Sequence, residues 1–416
     1  MALEGRAPWE ARARYNSAGQ LTELELPGGV VSRFQYDKAG RVEWHTVSSG
    51  GRETRRVSYA WGARGRLMKA RDELKREDTE FSYGAGGALT GALEKANTLY
   101  PKRVNRAVDA AGNIYRWGDR RDRIYGAGGR LEKSGIDARE LRYYSGRMEN
   151  GVSYGYGAEG ELVEKNDYKS GEVWKYGYYG NGALSKVVLP GGGEVTFKYD
   201  PLGRRIEKRS AEKAVRYIWD GDNLLHEVEG ANITTWAFID GFAPVAKVTE
   251  GGCYGVITDY MGAPVEAYDE AGGRVWAAGL DIYGEAEVYV GEAGFAPFRY
   301  QGQYHDTETG LYYNRFRYYD PKMGQYTQRD PIGPAGGNPT LYAYVRDPNS
   351  EVDPYGLFIK EIWGAGKKAA GFVIEGAKKL AVTAAAIKYA EVKSLINAGK
   401  NALNYARAAT RKIISR

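Results

Sequence analysis

The feature that most restricts how this chain can fold is a short motif that recurs along it: an aromatic residue, three residues, glycine, one residue, then an aliphatic. It stands as YNSAGQL from Tyr15, YDKAGRV from Tyr36, WGARGRL from Trp61, YGAGGAL from Tyr83, YGAGGRL from Tyr125, YGAEGEL from Tyr156 and YYGNGAL from Tyr178. YDPLGRRI from Tyr199 and YDEAGGRV from Tyr268 are variants longer by one residue, and VDAAGNI from Val108 carries valine in place of the aromatic. Several successive starts lie 21 or 22 residues apart. Asp, Asn or Gly followed three residues later by Gly fits the first and last positions of a type I turn, and Gly accepts positive φ at little steric cost. The aromatic then ends one strand and the aliphatic begins the next, where such cross-strand pairs contribute about 0.2–1 kcal/mol each. Each unit is a hairpin that cannot bury its apolar face alone, so the units must stack side by side.

Composition agrees with a mainly β fold: 57 Gly and 34 Tyr stand beside only 5 Met and 10 Phe. The single cysteine, Cys253, excludes an internal disulfide framework, and the histidines at 45, 226 and 305 have no metal-ligand spacing, so neither a metal nor a cofactor is expected. The N-terminal MALEGRAPWEARARYN lacks the apolar run of a Sec signal peptide, and no stretch reaches the roughly 18 apolar residues of a membrane span.

The net charge of +6 is unevenly placed, because residues 358–416 carry +9 and residues 1–357 carry −3. The chain changes character at Leu357. Upstream it is rich in turns; downstream it has helical composition, with Leu380, Ala384, Ile387 and Glu391 at helical spacing and lysines on the other faces. Three readings of this basic segment stay open: a helix that contacts an anionic membrane surface, a shortened toxin, or a helix packed on a partner. It contains no Asp, His or Cys, so the usual nuclease, deaminase and metal-hydrolase constellations are not expected there, and nucleic acid is not the expected partner.

Just before the change lie RDPIG at Arg329–Gly333 and DPYGL at Asp353–Leu357. Taken singly, each is a turn, since Asp accepts local backbone hydrogen bonds, Pro fixes φ and Gly completes the bend. Taken together they supply two carboxylates, Asp330 and Asp353, joined by a segment with turn chemistry around TLYAYV that can fold back. Two carboxylates brought close split their pKa values, so one can stay protonated while the other activates water.

The repeats resemble the YD repeats of RHS (rearrangement hotspot) proteins. The segment FRYQGQYHDTETGLYYNRFRYYDPKMGQYTQRDPIGPAGGNPTLYAYVRDPNSEVDPYGL, from Phe298 to Leu357, is similar to the RHS-associated core along its whole length. The resemblance implies a hairpin sheet that forms a partial spiral shell over residues 1–280 and a core over 281–357. Residues 358–416 would be a variable, short α-helical C-terminal segment. It also implies self-cleavage between Leu357 and Phe358 by an aspartyl-type mechanism, with Asp330 and Asp353 catalytic, Arg329 orienting its neighbour, and Asp320 and Asp347 as lesser candidates. Gly356 would let a carbonyl approach the carboxylates and Pro354 would stiffen the segment. The implied partners are an immunity protein and a secretion-system component, with a destination outside the producing cell. The alternatives are a surface module whose tyrosines bind glycans, and an inert remnant of a larger gene.

Overall fold

The computed structural model describes residues 9–135, 150–338 and 340–357, together with the backbone of Lys378–Ala381. Each repeat is a hairpin built around a type I turn that closes on a left-handed residue, and the Asp variants show how the side chain fixes it. At Asp37 the Gly40 amide donates to the Asp37 carbonyl at 2.9 Å and the Asp37 amide donates to the Arg41 carbonyl at 2.8 Å. The Asp37 Oδ1 accepts from the amides of Ala39 and Arg41, and its Oδ2 pairs with the Arg41 guanidinium at 2.6 Å. Gly40 supplies the required φ of +76°. Asp200, Gly203 and Arg204 repeat the arrangement. Where glycine replaces the aspartate, as at Gly84, both backbone bonds remain at 2.9 Å. The turn therefore depends on its backbone, and the aspartate only reinforces it.

In most repeats the motif aromatic links its hairpin to the one before it, whereas Tyr15 and Tyr268 donate instead to Asp240 and Glu266. The hydroxyl of Tyr36 donates to the carbonyl of Leu21 at 2.7 Å, Tyr178 to Leu162 at 2.8 Å and Tyr199 to Leu184 at 2.8 Å. The indole of Trp61 donates to Val42 at 2.7 Å. In each of these bonds the acceptor is the aliphatic that closes the preceding motif. This accounts for the excess of Tyr over Phe: the ring packs like phenylalanine, and the hydroxyl is needed to tie successive hairpins.

The strands follow one another as antiparallel neighbours. Nine consecutive strands from Glu10–Tyr15 to Lys102–Asn105 form a first sheet, and sixteen from Arg123–Tyr125 to Ala286–Val290 form a second. A smaller sheet of four strands spans Tyr304–His305 to Gln325–Tyr326. The two large sheets meet where their chain positions are far apart. Trp9, Ala11, Ala13, Leu24, Leu26 and Val30 pack against Val245, Val248, Ile257 and Tyr268 in one buried cluster. At that seam Ser49 Oγ donates to the Gly272 carbonyl at 2.6 Å, and a Cβ on Gly28 would lie 2.1 Å from the Gly272 nitrogen. The sheet thus curls until early and late turns touch, as an incomplete spiral wall does.

The core segment fastens both sheets. Arg106 of the first sheet's end donates to the carbonyls of Val345 at 2.6 Å and Arg346 at 3.0 Å. The Leu162 amide donates to Thr327 and the Gln328 amide side chain to Gly182. The strongest pin joins Arg205, on the strand Arg205–Arg209, to Asp306, both essentially without exposure. The guanidinium grips both carboxylate oxygens, and Lys208 Nζ adds a third contact at 3.0 Å. The rings of Tyr217 and Tyr313 lie 4.7 and 4.5 Å from the guanidinium carbon. Despite burial, Arg205 and Lys208 hold the Asp306 carboxyl below the usual carboxylate range.

One expectation needs correction. Lys378–Ala381, placed by composition in a helix, is a strand beside Glu10–Tyr15, with Ala11 opposite Leu380. The outer edge of Glu10–Tyr15 presents unpaired N–H and C=O groups, and pairing with that row outweighs helical propensity. The rest of the segment expected to be helical lies outside the described residues. Among the described residues, no helix is long and apolar enough to cross a membrane.

Two stability measurements follow from these contacts. Tyr178→Phe keeps the ring and removes one inter-repeat bond, so urea unfolding should show a loss of about 1 kcal/mol. Asp306→Asn leaves two buried cations undercompensated and should cost about 3–5 kcal/mol. Because the Asp306 pKa is lowered on folding, its contribution is present above the ordinary carboxylate range and fades as pH falls through the folded value. The difference between wild type and Asp306→Asn should therefore shrink in acid.

Candidate functional site

The small sheet brings together the side chains that the Asp-Pro motifs suggest, around a residue that they do not. Arg317, on the strand Arg317–Asp320, has no exposed side-chain surface. Its Nη2 lies 3.1 Å from Asp330 Oδ2 and 3.2 Å from Asp353 Oδ2. The two carboxylates, 4% and 2% exposed, thus converge on one guanidinium nitrogen. The same guanidinium donates through Nε to the Gly356 carbonyl at 2.5 Å and through Nη1 to the Leu341 carbonyl at 3.2 Å. Beneath it lies the Tyr326 ring, 3.7 Å from the guanidinium carbon.

Each carboxylate is fixed differently. Asp353 accepts the Tyr326 hydroxyl at 2.8 Å on Oδ2 and the Leu357 amide at 2.9 Å on Oδ1. Asn314 holds that assembly by donating to the Asp353 carbonyl at 2.9 Å and to the Tyr326 hydroxyl oxygen at 2.7 Å. Asp330 begins a turn: its Oδ1 accepts the Ile332 amide at 3.0 Å, while Oδ2 is buried with only the ion pair to Arg317. Burial pushes both carboxyls above the usual range, against the pull of Arg317; the charge of Asp353 adds to the rise at Asp330.

The peptide between Gly356 and Leu357 is gripped on both faces, its carbonyl by Arg317 and its N–H by Asp353. Gly356 makes this approach feasible. Its φ is +67°, and a Cβ there would lie 2.5 Å from the Asn314 carbonyl. Leu357 is thus delivered to the carboxylates, and the next bond begins at its carbonyl. Phe358 lies outside the described residues.

Arg329 does not face Asp330. It reaches Glu159 at 2.7 Å with about half of its side chain exposed. The cation between the carboxylates is Arg317, twelve or more residues away in sequence from both. No local signal could reveal it, since only the pairing of Tyr312–Asn314 with Arg317–Asp320 and of that strand with Gln325–Tyr326 carries it there. Asp320 and Asp347 serve turns of their own. Asp320 accepts the amides of Lys322 and Met323, and Asp347 those of Asn349 and the Ser350 hydroxyl.

The arrangement of wall, core and buried acid pair can now be set beside known proteins. The teneurin YD-shell family matches residues 145–333, and the RHS repeat family matches residues 15–53. The chain belongs to the RHS/YD-repeat family. It is 30% identical over 390 residues to the probable deoxyribonuclease RhsB of Dickeya dadantii, covering 84% of this chain and 26% of that protein. It is 32% identical over 372 residues to the double-stranded DNA deaminase toxin A of Burkholderia cenocepacia, covering 79% of this chain and 25% of that one. Among solved structures, a chain of the Photorhabdus luminescens Tc holotoxin pore superposes with a TM-score of 0.51 at 16% identity, over 84% of this chain and 19% of that chain. At that identity the likeness is one of fold. The RHS chain spans about a quarter of the length of the curated relatives it matches. Its fold is that of an RHS toxin carrier.

The geometry yields a direct check on the gripped peptide. Gly356→Ala places a methyl against the Asn314 carbonyl at a positive φ, so it should cost about 1–3 kcal/mol. Exchange protection of the Leu357 amide should fall, while that of the distant first sheet is unchanged.

Proposed function

We propose that this chain is an RHS-type toxin-carrier segment that cleaves itself between Leu357 and Phe358 by an aspartyl-type mechanism, releasing residues 358–416 from the core. The observation that supports this reading most is the convergence of two buried carboxylates on Arg317 beside a peptide held by the same residues.

In this mechanism the Asp330–Asp353 pair shares one proton. Asp330, whose Oδ2 meets only the Arg317 guanidinium while Asp353 is held by Tyr326 and the Leu357 amide as well, is the carboxylate best placed to take a proton from water. The water oxygen adds to the Leu357 carbonyl carbon, the carbon–nitrogen bond to Phe358 breaks, and the pair delivers a proton to the departing nitrogen. Leu357 is left with a carboxylate and Phe358 with an amine. Arg317 limits the repulsion between the acids and orients the segment. Holding the bond in cis supplies the effective concentration that an intermolecular protease obtains only by binding.

Residues 358–416 are the cargo in this reading. Relatives named as a deoxyribonuclease and a DNA deaminase toxin support delivery of an effector, although this segment's lack of Asp, His and Cys fits neither chemistry. A basic segment acting at an anionic membrane surface suits its composition better. An immunity protein and a secretion-system component complete the proposal, with action outside the producing cell.

Denaturing electrophoresis and intact mass of the purified full chain test the reading: wild type should yield a fragment ending at Leu357. Asp330→Asn and Asp353→Asn should slow its appearance by about 100-fold or more, and Arg329→Ala should leave it unchanged. Because one of two raised carboxyls must be protonated and the other not, the rate should fall on either side of a maximum above the ordinary carboxylate range. A wild-type chain that stays intact across that range would rule the mechanism out.

A further inference from the structure

A small pocket, partly open to solvent, adjoins the DPYGL segment, with Pro354 and Tyr355 in its lining. Its other walls include Trp219, Phe238 and Phe242 from the second sheet. Tyr355 is fixed there, its ring edge-on to Phe242 at 5.7 Å and its hydroxyl donating to Asp222 at 3.0 Å, which Arg315 also pairs at 3.2 Å.

One lining residue is unexplained by the fold. Gln303 is 1% exposed, and neither its Oε1 nor its Nε2 has a hydrogen-bond partner. A buried carboxamide left this way is costly and uncommon, and points to a missing polar group. A carboxamide offers one donor face and one acceptor, the complement of a peptide group. An aromatic cavity with such an amide at its wall is suited to an apolar side chain together with the backbone on which it is carried.

The chain supplies such a group next to the pocket. FIKEIW, residues 358–363, places Phe358, Ile359, Ile362 and Trp363 in six positions. Phe358 is three residues beyond Tyr355, a span of at most about 10 Å at roughly 3.3–3.6 Å per residue. The alternation of Lys360 and Glu361 also suits a rim that carries both Asp222 and Arg315.

We infer that this pocket is a binding site for the residues that follow the cleavage point, with Phe358 entering the aromatic cavity and its peptide group pairing with Gln303. The inference rests on the proposed reaction only in calling Phe358 the residue after the cut; occupancy of the pocket does not require that the bond be broken. The site sets the register of the segment, so that Leu357 and not a neighbour is presented to Asp330 and Asp353.

Benzoylphenylalanine introduced at position 358 of the full chain, in both the wild-type and Asp330→Asn backgrounds, tests this by photocrosslinking and peptide mass spectrometry. Adducts on Trp219, Phe242 or Tyr355 are expected in both backgrounds, whether or not the chain is cleaved. Adducts confined to the first sheet or to other parts of the core would overturn the inference even if cleavage proceeds. Gln303→Leu preserves the bulk of the side chain and removes its amide; the adduct yield should fall by about 10-fold, in line with the loss of an interface anchor. An unchanged yield would refute the role of Gln303. Thermal melts of each variant separate loss of the site from loss of the fold.

Discussion

A hydroxyl donated from a motif tyrosine to the carbonyl that closes the preceding motif, as at Tyr36, Tyr83, Tyr156, Tyr178 and Tyr199, is the bond on which the rest of the wall depends. Strand pairing alone fixes only nearest neighbours and would tolerate slippage between hairpins, because the side-chain period of two permits alternative registers. The tyrosine contact spans from one repeat to the next, as in Tyr36 to Leu21 and Tyr199 to Leu184, and ties the start of one turn to the end of the previous one. Repeated along the chain it sets a uniform offset between hairpins. Tryptophan can substitute, since its indole N–H reaches the same acceptor in Trp61 and Trp219, whereas phenylalanine cannot. The tyrosines of the repeats are therefore committed to the scaffold, and an account in which they bind glycans has to begin from hydroxyls already engaged.

That wall matters to the acid pair because the pair is costly. Two carboxyls and a guanidinium removed from water remain together only where the surroundings are fixed. Here Tyr326, Asn314 and the backbone at Leu341 and Gly356 supply the fixing, and around them Tyr300, Tyr312, Tyr319 and Tyr344 form a buried aromatic cluster. The core has few regular elements, so its order comes from side chains meeting backbone groups of the sheets. Leu89, Leu162 and Gly182 each exchange a hydrogen bond with it.

The legible part of this structure is the part with a period. The spacing of Tyr, Gly and Leu identified the hairpins, their turn type and their sequential pairing, and the two Asp-Pro turns identified both members of the acid pair. The arginine could not be found in the same way. Arg329 is adjacent to Asp330 in sequence, yet neighbouring residues of an extended segment point in opposite directions, so Arg329 turns outward to Glu159 as Asp330 turns inward. Arg317 arrives through two strand pairings whose short, tyrosine-rich sequences carry little registry information. The strand at Lys378–Ala381 escaped for a related reason. Helical composition describes a segment in isolation, and what it meets in the fold is the open edge of Glu10–Tyr15.

Both links converge on the timing of the proposed reaction. Asp306 directly follows Tyr304–His305, the first strand of the small sheet whose third strand carries Arg317, and it secures that sheet to the wall through Arg205 and Lys208. Until the wall strand Arg205–Arg209 is in place, the Asp306 carboxylate lacks its counter-charges and the hairpin that carries Arg317 has nothing rigid to rest on. Asp330 and Asp353 would then repel one another in water with ordinary acidity, unable to share a proton. In the assembled protein that freedom is gone, and burial raises both carboxyls. In the proposed reaction, scission would then follow assembly of the core without a separate trigger, because burial is what raises the two carboxyls.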